Sequence, residues 1–155
     1  MSASSSYAEQ RVAVALASMR ANRSDAPVQA RGCEALWSLA SDSEANRAFI
    51  ASAGGIEEVV ASLRAHAANA AVQAHGCGAL RNLSHFDANR AWIAGAGGVE
   101  AIVAGLSAHV TNAAVQVNGY VALQNLALLN SNHSLIASAG GIDVVVVGMR
   151  ARGEC

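Results

Sequence analysis

Four groups of residues have types and spacings that could support chemistry. Gly54-Gly55 stands before an apolar run, IEEVV, as glycines do where backbone N–H groups cradle a phosphate at a helix start. Glu57 and Glu58 are adjacent carboxylates, the residue type used for general acid–base work. His75 and Cys77 are both metal-ligating types and stand two residues apart. Cys33, Cys77 and Cys155 are the three thiols.

None of these develops into a reacting site. The glycine pair recurs as Gly97-Gly98 and Gly140-Gly141, each step being 43 residues. A phosphate loop normally occurs once, follows a strand and carries a lysine, and this chain has no lysine. A helix ending in a left-handed glycine, with a second glycine admitting close packing, fits the recurrence better. Glu57 and Glu58 fall near the start of a helix, where the dipole favours acidic side chains. His75 and Cys77 point different ways on a helix. An odd cysteine count without short spacing argues against a disulfide framework or a zinc site. Cys33 and Cys77 read as small buried residues, on helices too far apart to be bridged. No Ser-His-Asp set, HExxH or Walker loop is present. The chain therefore reads as no enzyme, with neither cofactor nor metal.

The elements that carry these residues repeat. Asn46, Asn89 and Asn132 keep the 43-residue step, as do Ile50, Ile93 and Ile136. Val28-Gln29 recurs as Val72-Gln73 and Val115-Gln116, followed by Gly32, Gly76 and Gly119. The first step is one residue longer, an insertion between Leu39 and Asn46 that a loop would absorb. Within one copy, Val99, Ile102, Val103 and Leu106 have helical spacing, and so do Val115, Gly119, Ala122, Leu123 and Leu126. Aromatics are 4% of the 155 residues and alanine is abundant, which favours helices over strands. A period in this range signals a repeat array. The net charge of −1 points to neither nucleic acid nor an anionic membrane, and no apolar run is long enough for membrane insertion. The N-terminus, rich in Ser, Ala and Arg, faintly resembles a targeting segment, but Glu9 precedes its short apolar stretch. The cysteine usage fits a reducing, intracellular setting, cytoplasmic or nuclear. His66 and His109 fall at equivalent helix ends, where a cation favours the dipole.

A short helix, a Gly-Gly corner, a GIxxVV-type helix and then VQxxGCxALxNL resembles the armadillo repeat. The matching segments are 72-VQAHGCGALRNLS-84 and 115-VQVNGYVALQNLA-127, with 28-VQARGCEALWSLA-40 a looser copy. The resemblance covers residues 8–152 and implies an all-α, right-handed α-solenoid of three-helix repeats. The expected divisions are a partial repeat 8–42, full repeats 44–86 and 87–129, and a partial repeat 130–152. Residues 1–7 are expected to be a flexible N-terminus.

The resemblance also implies a protein-interaction module holding an extended peptide on its concave face. The asparagine of the LxNL motif, which would bond a bound peptide's backbone, corresponds to Asn82 and Asn125, with Ser38 in the first copy. Such an asparagine can instead satisfy helix-end carbonyls or the neighbouring repeat. Beside the ladder stand Trp37, Arg81 and Gln124. Trp37 is either a binding anchor or a wedge between repeats, whereas Trp92 is expected to pack. The groove floor includes Arg31, His75 and Asn118, together with Glu34, Gly78 and Val121. The tryptophans that importin-alpha-like members use for basic nuclear-localisation peptides are absent, and this mixed floor differs from the basic groove of catenin-like members.

The alternative is a structural piece, or part of a longer array, that makes contacts through its repeat ends. The final segment, 141-GIDVVVVGMRARGEC-155, has apolar residues around most of a helix. Val145, Val147 and Met149 are thus expected to leave an apolar end patch that supports self-association.

Overall fold

The computed structural model describes residues 3–153 and is all-helical, with no strand among the described residues. The helices are α1 (Ala3–Ala21), α2 (Ala26–Asp42), α3 (Glu44–Ser52), α4 (Gly55–Ala65), α5 (Ala70–Leu83), α6 (Asp87–Gly95), α7 (Gly98–Ala108), α8 (Ala113–Ala127), α9 (His133–Ser138) and α10 (Gly141–Ala151). A 3-10 turn, Asn130–Asn132, leads into α9. The α2–α5 and α5–α8 pairs form the most extensive helix contacts, so these three helices lie side by side in one row. A second row runs α1, α4, α7, α10, and the short helices α3, α6 and α9 join one pair to the next.

Local chemistry sets the boundaries. Asp25, Asn69 and Asn112 cap α2, α5 and α8, accepting from the N–H of Val28, Val72 and Val115 at 2.9, 3.0 and 3.1 Å. The glycine pairs form the corners before α4, α7 and α10. Gly54, Gly97 and Gly140 have φ of 83, 83 and 84°, a region that side chains disfavour. The second glycine serves a different need. A Cβ on Gly55, Gly98 or Gly141 would lie 2.7, 2.8 or 2.9 Å from the carbonyl oxygen of Ile50, Ile93 or Ile136.

The apolar stripes of both rows meet in a continuous core, from Val12, Leu16 and Met19 of α1 to Leu126 of α8. The core ends there: α9 has no fully buried residue, and in α10 only Gly141 and Gly148 are buried. Two boundaries differ from expectation. Residues 3–7 belong to α1, while residues 1 and 2 lie outside the described range. The extra residue before Asn46 does not loop out. Instead α2 runs on to Asp42, and Ser43 caps α3 by accepting from the Asn46 N–H at 3.1 Å.

Candidate functional site

The row α2–α5–α8 carries the residues expected to bind a partner. Asn82 and Asn125 are half-buried near the ends of α5 and α8. Each directs its amide nitrogen back to the preceding helix of the row. Asn82 Nδ2 donates to the Trp37 carbonyl at 3.1 Å. Asn125 Nδ2 donates to the Arg81 carbonyl at 3.2 Å and to Ser84 Oγ at 3.1 Å. Helix-end carbonyls lack intrahelical partners; Asn125 shares the Arg81 carbonyl with Ser84 Oγ, which donates to it at 2.7 Å. An amide has one acceptor oxygen besides its two donors, and no described hydrogen bond reaches either Oδ1.

The neighbouring candidates divide by burial. Arg31, Ser38 and Gln124 are exposed. Trp37 is half-buried and lies across Gly78, where an added Cβ would be 2.6 Å from the indole. Its ring stands 6.1 Å from that of His75, whose Nδ1 donates to the Ala30 carbonyl at 3.1 Å. Trp37 is therefore a wedge between α2 and α5 that keeps one partly open face. Asn118 departs from its expected place on an open floor. It is 4% exposed and donates to the Ala74 carbonyl at 3.0 Å, while its Oδ1 accepts from Arg81 Nη1 at 3.2 Å. It ties α8 to α5.

Comparison with models of known protein families, with curated proteins and with solved structures gives no match.

The other chemistry-bearing residues are engaged within the fold. Glu58 is buried and pairs with Arg20 at 3.4 Å and Arg23 at 3.1 Å. Glu57 accepts from Trp92 Nε1–H, which leaves Trp92 42% exposed on the surface rather than packed inside. Burial pushes the Cys33 thiol up to about 12; the Ser62 hydrogen bond lowers it and the Glu58 charge raises it. Cys77 is likewise pushed to about 12 by burial and by Cys33 beside it. Both are free thiols, and Cys155 lies outside the described residues. Among the described residues, no three His, Cys, Asp or Glu side chains converge on a point that would hold a metal.

At the C-terminal end, Val145 lines a groove of about 430 Å³ with Tyr120, Leu123, Gln124, Ile136, Ile142 and Val146. Val147 does not join it. It faces Leu106, Ser107, Val110 and Asp143 on another side, because residues two apart on a helix point about 200° apart. Met149 is half-buried. A second depression, about 440 Å³, lies between α1 and α2 and includes Tyr7, Arg11, Val14 and Arg31.

Several residues that organise this architecture carry no obvious chemistry in the sequence. Gln29, Gln73 and Gln116 are each 1% exposed. Their amides donate to Met19 and Asn22, to Leu63 and His66, and to Leu106 and His109 carbonyls, at 2.8–3.1 Å. His66 and His109 extend the pattern by donating from Nε2 to the Arg23 and Ala67 carbonyls, both at 2.8 Å. The available signal was the recurrence of Gln after Val at each third helix. It marks a buried side chain that joins the second helix of a unit to its third.

Proposed function

We propose that the chain is a non-catalytic protein-interaction module, an armadillo-type right-handed solenoid that binds an extended peptide along the α2–α5–α8 face. The observation that carries this reading is the paired arrangement of Asn82 and Asn125. Each amide nitrogen is fixed to the preceding helix, which holds the side chain in one orientation with its oxygen left as an acceptor. Packed helices lie about 8–10 Å apart, roughly three residues of an extended polyproline-II-type chain at ~3.1 Å each, whose three-residue turn brings every third N–H to the same side. Two such acceptors suit two peptide N–H groups about three residues apart. Arg81, Gln124 and the open face of Trp37 flank them.

The test begins with peptides selected from a random display library against the full chain. Backbone N-methylation at either of two positions three residues apart should abolish binding, because it removes the donated N–H. Asn82→Ala with Asn125→Ala should weaken the same peptides at least tenfold while the helical signal persists. Gln124→Lys, at an exposed residue, checks the location without disturbing an internal bond. Selected peptides that tolerate every N-methylation and bind the double variant unchanged would refute the reading.

A further inference from the structure

The groove formed by α8, α9 and α10 is an unfilled copy of a position filled twice elsewhere in the molecule. In the preceding units α5 covers α4 and α8 covers α7. Gly76 sits against Leu63 and Gly119 against Leu106, where an added Cβ would lie 2.6 and 2.7 Å from the leucine. Gln73 and Gln116 then close the carbonyl ends of α4 and α7. The second-row helix meets each third helix with four apolar positions: Ile56, Val59, Val60 and Leu63 in α4, and Val99, Ile102, Val103 and Leu106 in α7. The same positions in α10 are Ile142, Val145, Val146 and Met149.

Their exposure shows what is lacking. Ile56 and Val99 are 0% exposed, but Ile142 is 65% exposed. Val60 and Val103 are 2% and 7% exposed, but Val146 is 37% exposed. Met149 and Arg152 occupy the places of Leu106 and His109, whose carbonyls accept from Gln116. On the α8 side, the Val117 and Gln124 carbonyls occupy the places of Ala74 and Arg81, which accept from Asn118 and Asn125.

We propose that this groove docks an amphipathic helix carrying the third-helix pattern Val-Gln-x-x-Gly-x-x-x-Leu-x-Asn-Leu. Its glycine sits on Met149, its glutamine closes the end of α10, and its asparagine donates to the Gln124 carbonyl. Its apolar stripe covers Ile142, Val145 and Val146. A second folded copy does not provide such a helix. Its α2, α5 and α8 already use Gln29, Gln73 and Gln116 on their own second helices, and Gly32, Gly76 and Gly119 are covered by Met19, Leu63 and Leu106.

The probe is a fluorescein-labelled, end-blocked peptide copying residues 112–128, titrated with the full chain and read by anisotropy. Saturable binding is expected. A peptide with Leu at the position of Gly119 should bind at least tenfold more weakly, because the leucine meets Met149. A peptide with Leu at the position of Gln116 should also weaken. In the chain, Ile142→Lys should abolish binding; that side chain is mostly exposed, so the helix tolerates the change. Val147→Lys should leave binding intact, because Val147 lies outside the groove. Absence of saturable binding overturns the proposal, as does equal affinity of the Gly119→Leu peptide. Sedimentation of the chain as a dimer that Ile142→Lys dissociates also overturns it, since a second copy would then cover the groove.

Discussion

Alkaline pH should weaken the fold through two thiols. An ordinary cysteine titrates near 9.0, and burial pushes Cys33 and Cys77 up to about 12. Between these values the unfolded chain has lost both protons while the folded chain keeps them. Stability is therefore complete below about pH 9 and falls as pH rises, by about 1.4 kcal/mol per pH unit for each thiol. At about pH 10.5 the loss reaches ~2 kcal/mol per thiol, or ~4 kcal/mol for the pair, a large part of the 5–15 kcal/mol that usually holds a domain together. The chain suits the measurement because it has no lysine to titrate in the same range. Urea unfolding followed by far-ultraviolet circular dichroism, at about pH 7, 9 and 10.5, gives the slope. The Cys33→Ala, Cys77→Ala variant keeps Tyr7 and Tyr120 and so carries the background. It should be less stable at neutral pH, from lost packing, but flatter with pH. An equal alkaline slope in the variant and the native chain would refute the assignment.

Gly98→Ala should destabilise by about 1–3 kcal/mol, because the new Cβ meets the Ile93 carbonyl. Gly95→Ala, where a Cβ meets nothing within 4 Å, should instead stabilise by about 0.5–1 kcal/mol in the same denaturation assay. Gln73→Leu should cost about 2–4 kcal/mol, since one buried and one partly buried hydrogen bond to the end of α4 are lost. Cys33 and Cys77 should react slowly with a thiol reagent in the folded protein and quickly in urea, because both are buried and held protonated.

Much of the helical order was legible because the packing repeats. A stripe such as Val99, Ile102, Val103 and Leu106 states its face directly, and the recurring glycine pairs mark the corners. Polar side chains were harder to read. Asn82 and Asn118 are the same residue type on the same row, yet one is half-open and the other closed by Arg81 and Ala74. That distinction depends on neighbours 37 to 45 residues away, and helical spacing holds no information about them. The compensation at Tyr120 was equally hidden. Opposite it stands Gly148: the Tyr120 hydroxyl occupies the space of a Gly148 side chain and donates to Gln116 Oε1 at 2.5 Å. In the place of Gly148 the first complete unit has Ser62, which donates to Gln29 Oε1, also at 2.5 Å. A large residue on one helix is thus matched by a missing one on the next, which only superposed repeats reveal. The C-terminal end does expose apolar side chains, Ile142, Val146 and Val147, but Val145 and Val147 do not share one face, for a simpler reason. A helix with apolar residues all around has no single face, and the surroundings divide the two valines between opposite sides.

The bonds from asparagine and histidine side chains to carbonyls of a neighbouring unit have a direction. Asn82, Asn118, Asn125, His66, His75 and His109 all lie later in the chain than the carbonyls to which they donate. During synthesis, an earlier unit has already left the ribosome, with its acceptors in place, when the donors of the next unit emerge. Each arrival closes bonds onto completed structure, and no earlier unit must wait for a later one to supply these donors. Assembly in that order keeps the exposed apolar edge confined to the newest helix. A circularly permuted chain that presents the donors first would lose this ordering, although its finished fold would contain the same bonds.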